Sequence, residues 1–476
     1  MSRKRTTTDE GPPAVTFIGC GYLGATYAAC YAELGHPVLG VDTDPSKIAK
    51  LSAGELPFHE PGLRDVLRRN LRAGRLQFTT DYRTAAHFAD THFICVGTPQ
   101  SPDSDAADLS NVESAVQALA GHLRKRSLII GKSTVAVGTA ARLAGIVQDA
   151  SPPDVDVEVA WSPEFLQEGR AVEDVLRPHR IVFGADSDWA RSMLHQAHAP
   201  LMDLACREGR DLPVVTTDLS TAELTKVAAN AFLATKVSFI NAVAEVCEAA
   251  DADITQLAQG ISLDPRIGEH FLKAGLGFGG GCLPKDIRAF RSRAEQLGVG
   301  PALRFLQEVD AINIRQRTRV VELARELLNR DGAPAGTPDL AGTRIGVWGS
   351  TFKPDSDDVR DSPALDVSSR LLDAGAEVVI FDPRGTDNAR RHEPRATYAT
   401  TAEEAVEATN LLCVLTDWPQ FQAIDPHTLA ASPSNRRIID GRNCLDPQRW
   451  ADAGWLYRGM GRGSLARTLR QVSTPA

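Results

Sequence analysis

Three groups of residues have the types and spacing for chemistry. One is Cys282, set in Gly275-Leu276-Gly277-Phe278-Gly279-Gly280-Gly281-Cys282-Leu283-Pro284-Lys285-Asp286. Five glycines before the cysteine let backbone lie close to a ligand, and Pro284 suits the first turn of a helix. Cys282 then falls at a helix N-terminus, where the macrodipole and Lys285 favour the thiolate, the nucleophilic form. On local sequence alone a structural cysteine fits equally well. The second group is Gly19-Cys20-Gly21-Tyr22-Leu23-Gly24 with Asp42. The third is Lys226 and Asn230, four apart and therefore on one face of a helix. An exposed lysine beside a packing asparagine is, on spacing alone, the better reading of that pair.

The glycine pattern follows an apolar strand, opens a helix, and precedes an acid, Asp42, at the end of the next strand about twenty residues on. In that order Gly19 makes the tight turn, Gly21 lets backbone approach a pyrophosphate, and Gly24 packs helix on strand. Tyr22 and Leu23 begin the helix whose N-terminus receives the phosphates. Asp42 accepts hydrogen bonds from ribose hydroxyls and repels a 2′-phosphate, so the cofactor is expected to be NAD, not NADP. Lys47 is near enough to touch ribose or phosphate, and a solvated helix lysine fits it as well.

These residues need a scaffold. Apolar runs at 15–18, 38–41, 91–96, 128–130, 155–160 and 180–183 alternate with helical stretches, which predicts a parallel sheet covered on both faces. Ser220 and Glu223 form a capping-box pattern ahead of a helix over 221–249, and a second long helix is expected over 301–329. A Gly/Pro linker follows at 332–338, and strands return at 344–348, 377–381, 411–415 and 437–440. The expected fold is α/β: two Rossmann-like doubly wound domains joined by a long central helix and a helical middle domain. The divisions are a disordered tail at 1–13, an NAD-binding domain at 14–215, a central helical domain at 216–331, and a second α/β domain at 332–476. After its first strand the second α/β domain has only Gly349-Ser350-Thr351, so it should bind something other than a second dinucleotide.

Composition excludes several classes. A net charge of -9 argues against nucleic acid or an anionic membrane as partner. No uncharged apolar run of membrane-spanning length and no signal-like start are read, so a cytoplasmic protein is expected. Eight cysteines without CxxC or Cys/His clusters suggest neither a metal site nor a disulfide framework.

Residues 277–286, taken with Lys132-Ser133-Thr134, Ser162-Pro163-Glu164-Phe165-Leu166-Gln167-Glu168-Gly169, Glu223-Leu224-Thr225-Lys226 through Asn230, and Phe352-Lys353-Pro354, resemble the UDP-glucose 6-dehydrogenase family. The motifs occur in the family's order and span 15–442. The resemblance implies a homodimer formed on the long helix, with 216–331 as the dimerisation domain and 332–476 as the nucleotide-sugar-binding domain, and oxidation of UDP-glucose to UDP-glucuronate with two NAD and water. It implies that Cys282 forms a thiohemiacetal and then a thioester, that Lys226, Asn230 and Asp286 handle water and developing charge, and that Glu164 assists thioester hydrolysis. Glu164 and Glu168 would align if their segment is helical. Thr134, Thr98, Glu168 and Arg360 are implied at the NAD site. Phe165, Leu166, Phe278, Gly279, Gly280, Lys353 and Arg442 are implied at the substrate, with Arg266 reaching it across the dimer. Three positions depart from the pattern: Ser162 stands where relatives have Asn, Ala136 where they have Pro, and Gly281 where they have Ser. Gly281 is expected to loosen the cysteine loop. The same mechanism on GDP-mannose or a UDP-N-acetylhexosamine is the near alternative, and a silent NAD-binding scaffold the distant one.

Overall fold

A computed structural model of the chain describes residues 11–328, 339–431 and 435–463. The linker expected at 332–338 and the first ten residues of the expected tail lie outside them. Residues 11–13 do not continue a disordered tail, because the Pro13 carbonyl accepts a hydrogen bond from His36 Nδ1 at 2.8 Å.

The chain divides into two compact units, 1–229 and 230–476. The first holds an eight-stranded sheet in the order β3-β2-β1-β4-β5-β6-β7-β8. Its strands are β1 (Val15–Ile18), β2 (Val38–Val41), β3 (Leu76–Thr79), β4 (Thr91–Ile94), β5 (Ser127–Gly131), β6 (Val157–Trp161), β7 (Ile181–Gly184) and β8 (Val214–Thr217). Successive strand residues feed opposite faces. Phe17 stacks on Phe93 at 4.8 Å and packs against Tyr27 and Tyr31 of helix Tyr22–Glu33, while Ile18 joins Leu39, Ile94 and Ile129 on the other side. Truncating an aromatic so buried costs about 3–5 kcal/mol.

The sheet is not parallel throughout, as the apolar runs suggested: β7 meets β6 antiparallel, at Trp161 and Gly184. The only helix between them is Ala171–Leu176. That short helix is no crossover of strand length, and β7 starts from the end where β6 stopped.

The second unit carries a wholly parallel six-stranded sheet in the order β11-β10-β9-β12-β13-β14. Its strands are β9 (Arg344–Trp348), β10 (Glu377–Phe381), β11 (Thr397–Tyr398), β12 (Leu411–Val414), β13 (Arg437–Asp440) and β14 (Leu456–Gly459). Trp348, Phe421, Trp450 and Trp455 fill one of its faces.

The long helix runs over Leu219–Ala250. Its cap is not the expected box. Asp218 accepts from Thr221 N–H at 2.8 Å, Ser220 lies inside the helix, and Glu223 accepts from the Gly138 and Ala140 N–H groups at 2.7 and 2.6 Å, capping helix Thr139–Ala150. By length and composition this helix is apolar enough to cross a membrane. Val227, Ala231, Ala234, Ile240 and Ala244 are buried, whereas Phe232, Phe239 and Val246 are exposed. The second expected helix is broken near its start, into a 3-10 turn Gly300–Leu303 and helix Phe305–Leu327.

Candidate active site

In the first unit the glycine fingerprint forms the turn between β1 and helix Tyr22–Glu33. Gly19 has φ +91, and a Cβ there would lie 2.9 Å from Val96 backbone. A Cβ on Gly24 would lie 1.9 Å from the Gly19 carbonyl oxygen, so helix and turn touch there. A Cβ on Gly21 would meet nothing within 4 Å. Gly21 also caps the helix with no side-chain bond, leaving N–H groups for phosphate oxygens. Asp42 is tied to this turn: one carboxylate oxygen accepts from Cys20 N–H at 2.9 Å and from Lys47 Nζ at 2.7 Å, the other from Asp44 N–H at 3.0 Å. A 2′-phosphate would sit against that carboxylate, so the residues fit NAD. Thr98 and Thr134 follow β4 and β5, next to the point where strand order reverses, and the Thr98 hydroxyl donates to the Thr134 carbonyl at 2.7 Å.

Tyr22 has a partner the sequence did not suggest, the buried carboxylate of Glu60, to which its hydroxyl donates. Burial, then the hydrogen bond to Glu60, pushes the Tyr22 phenol far above its usual range. Glu60 also accepts from the Gly169 and Ala171 N–H groups, both at 2.7 Å, and so caps helix Ala171–Leu176. It ties the fingerprint helix to the end of the 162–169 segment.

That segment is a loop after β6, not a helix, so Glu164 and Glu168 do not align by helical spacing. Glu164 is buried, accepts from Leu166 N–H at 2.7 Å, and pairs with the buried Lys226 ammonium at 2.9 Å. Lys226 Nζ also lies 5.6 Å from the centroid of the Phe165 ring. Leu166 and Glu168 are half-buried.

In the second unit Cys282 is the N-cap residue of helix Leu283–Gln296 and is exposed; of the eight cysteines only Cys206 shares that exposure. One turn on, buried Asp286 accepts from Asn230 Nδ2 at 2.7 Å and from Lys285 Nζ at 2.5 Å. Lys285 is thus paired with Asp286.

The glycine loop before the cysteine is held, not loose. Asn241 accepts from Gly275 N–H at 2.9 Å, Leu276 N–H reaches the Gly441 carbonyl at 2.8 Å, and Gly280 N–H reaches the Arg360 carbonyl at 3.0 Å. Asn313, on helix Phe305–Leu327, bonds both the N–H and the carbonyl of buried Phe278. Glycine is required at two of these points, Gly279 and Gly280. A Cβ on Gly279 would lie 2.2 Å from the Asp361 carbonyl, one on Gly280 (φ +86) 2.8 Å from the Phe352 ring, and one on Gly281 2.4 Å from Arg360 Cζ. Gly281 therefore makes room for the Arg360 guanidinium, which pairs with Asp358 at 2.7 Å.

Arg442 donates to three carbonyls: Leu415 at 2.8 Å, Gly277 at 2.8 Å and Phe352 at 3.2 Å. It links the cysteine loop to the residues following β9 and β12. Lys353 is half-buried, its ammonium 5.6 Å from the ring of Phe352. Arg266 is exposed and paired with Asp264 at 2.6 Å.

Asn313, Asn241, Glu60 and Glu223 were absent from the sequence-derived site. Each is a buried polar residue serving backbone far away in the chain; no local pattern marks Asn313, Asn241 or Glu60, and the one at Glu223 pointed to the wrong helix.

Residues 13–202 match the UDP-glucose/GDP-mannose dehydrogenase family NAD binding domain, 220–315 its central domain and 346–447 its UDP binding domain. The chain is 39% identical over 450 residues to a UDP-glucose 6-dehydrogenase of Rhizobium meliloti, covering 94% of this chain and 99% of that one. It is 40% identical over 444 residues to one from Haloferax volcanii, covering 92% and 98%. Among solved structures, a UDP-glucose dehydrogenase from Pyrobaculum islandicum superposes with TM-score 0.84 at 34% identity, covering 94% of this chain and 98% of that one. A UDP-D-ManNAc dehydrogenase from Pyrococcus horikoshii gives 0.80 at 26%, covering 95% and 100%.

Proposed function

The chain belongs to the UDP-glucose/GDP-mannose dehydrogenase family of NAD-dependent oxidoreductases, and from that premise we propose that it oxidises UDP-glucose to UDP-glucuronate in the cytoplasm. The observation that carries the reading is Cys282: an exposed thiol at a helix N-terminus, in a braced loop, with Asn230 and Asp286 hydrogen-bonded one turn away.

Taking an alcohol to an acid removes two hydrides, and NAD, when bound, accepts each of them. Gly19, Gly21, Tyr22, Leu23, Gly24, Asp42, Lys47, Thr98, Thr134, Glu168 and Arg360 are its proposed contacts. In the first oxidation Asp286 takes the hydroxyl proton through a water as the hydride departs, while the Lys226 ammonium steadies the charge developing on the oxygen. The Cys282 thiolate then adds to the aldehyde carbon, forming a thiohemiacetal whose oxygen is stabilised by Lys226 and Asn230. Loss of the second hydride and the hydroxyl proton gives a thioester. Water, deprotonated with help from Glu164, adds to it, and the carboxylate leaves as Cys282 sulfur is released. Lys353, Arg442, Phe165, Leu166, Phe278, Gly279 and Gly280 are the proposed nucleotide-sugar contacts.

We also assign a homodimer to the exposed apolar face of the long helix. Phe232, Phe239 and Val246 recur every seven residues, and Leu263 and Ile267 are exposed on the segment that follows, next to Arg266. Such a stripe matches a helical partner surface better than water.

Identity to UDP-glucose enzymes supports glucose as the sugar. Initial rates on UDP-glucose, GDP-mannose and UDP-N-acetylhexosamines test it: UDP-glucose should lead in kcat/KM, and a faster rate on either other class would reassign the substrate.

A further inference from the structure

The first unit contains a cavity of about 50 Å³ that the dehydrogenase chemistry does not use. Tyr27 and Tyr31 of helix Tyr22–Glu33, Lys132 after β5, Ser162 and Phe165 after β6, and Arg180 before β7 line it. Lys132 is 3% exposed, yet its ammonium makes one hydrogen bond, to the Ser162 carbonyl at 3.0 Å. The rings of Tyr27 and Phe93 lie 4.4 and 5.7 Å from it. Two of its three N–H donors are left over.

The other polar groups here are also donors in want of an acceptor. The Ser162 and Tyr31 hydroxyls are buried and have no hydrogen-bond partner among the described residues. Arg180 lies with its guanidinium carbon 3.7 Å above the Phe165 ring. The nearby acids are already committed: Asp174 accepts from Gln167 N–H and Arg170 Nε, both at 2.9 Å, and Glu164 holds Leu166 N–H and Lys226. His198, also on the wall, is kept neutral by burial and donates Nδ1–H to the Leu194 carbonyl.

A buried ammonium and two unpartnered hydroxyls, without an available carboxylate, leave positive charge and donors uncompensated. We propose that this cavity binds one small monovalent inorganic anion, of halide or nitrate size, held by Lys132, Ser162 and Tyr31. The volume suits a single small ion and is far too small for a nucleotide. Burial pulls the Lys132 ammonium down to about 8, against the opposing pull of Cys95 and Glu164, which is the unfavourable desolvation a bound anion would relieve. The ion ties the ends of β5 and β6 together behind the loop that carries Glu164. The inference is independent of the sugar assignment.

The test is the thermal midpoint of the full chain at constant ionic strength as gluconate, too bulky for the cavity, is replaced by chloride or bromide. The midpoint should rise by about 2 °C at about 0.5 M halide. A bromide-soaked crystal should show one anomalous peak in the cavity. Tyr31→Phe and Ser162→Ala, which remove one hydroxyl each, should fold and shrink the rise, and Lys132→Met should abolish both signals. Equal midpoints in gluconate and halide, an undiminished rise in the two hydroxyl variants, or water without bromide in the cavity would overturn the proposal. If Lys132→Met does not fold, the hydroxyl variants and the anomalous map still decide.

Discussion

The side-chain amide of Asn313 bonds both polar groups of one residue in the cysteine loop, accepting from Phe278 N–H at 2.8 Å and donating to the Phe278 carbonyl at 3.0 Å. Three residues separate Phe278 from Cys282, and Asn313 is fully buried. It holds the backbone that leads to Cys282, the proposed nucleophile.

Asn313→Ala therefore leaves a buried N–H unpaired, at about 1–3 kcal/mol, and leaves the Phe278 carbonyl with only the longer bond from Arg317 at 3.4 Å. The thermal midpoint should fall, kcat should drop about tenfold or more, and the alkylation rate of Cys282 should change, while NAD affinity in the other unit stays as it was. Wild-type kcat and alkylation in this variant would remove Asn313 from the account.

Gly21→Ala separates cofactor binding from folding. Gly21 has φ -71, which alanine adopts freely, and its Cβ would meet no protein atom. The midpoint should stay within about 1 °C while NAD binding weakens about tenfold or more, because the methyl occupies the space kept for the pyrophosphate. Unchanged NAD affinity by calorimetry would contradict the cradle described here.

Three buried histidines, His36, His92 and His198, make the first unit acid-sensitive, each lowered by burial and the last two furthest. Burial lowers both His92 and His198 from 6.5 to about 3. Between those values the unfolded chain binds more protons than the folded one, so stability falls as pH falls through that window, by up to about 1.4 kcal/mol per pH unit for each histidine. Thr16→Val with His92→Val replaces a hydrogen-bonded pair on β1 and β4 by an apolar one. Urea midpoints compared from about pH 6.5 to about pH 5 should show a slope lowered by about a third to a half in that double variant, with His36 and His198 still contributing. An unaltered slope would mean that other groups dominate.

Much of this architecture is legible in the residues, and what is not has a physical reason. Buried parallel strands read as unbroken apolar runs, which is why β1, β2, β9, β10 and β13 fall where the runs lie. The strands passed over are β3, β8, β11 and β14. Leu76–Thr79, Val214–Thr217, Thr397–Tyr398 and Leu456–Gly459 sit at sheet edges and are half polar, so burial leaves a weaker mark on them. Within the candidate site, Cys282 is announced by its glycines and Asp42 by its distance from the fingerprint. Asn313 and Glu223 are not announced, because a side chain that satisfies backbone 35 or 85 residues away leaves no local periodicity. The capping-box reading failed for that reason: Glu223 looked like a local cap and serves another helix.

The central claim is that Cys282 holds the sugar between two oxidations, and the most direct measurement is NADH formed per UDP-glucose consumed, for the native chain and for Cys282→Ser. The native chain should give two NADH per sugar with UDP-glucuronate as the product, and the variant should lose steady turnover by about a thousandfold or more and yield at most one. A native ratio of one, or a serine variant that keeps turning over at the native rate, would contradict it.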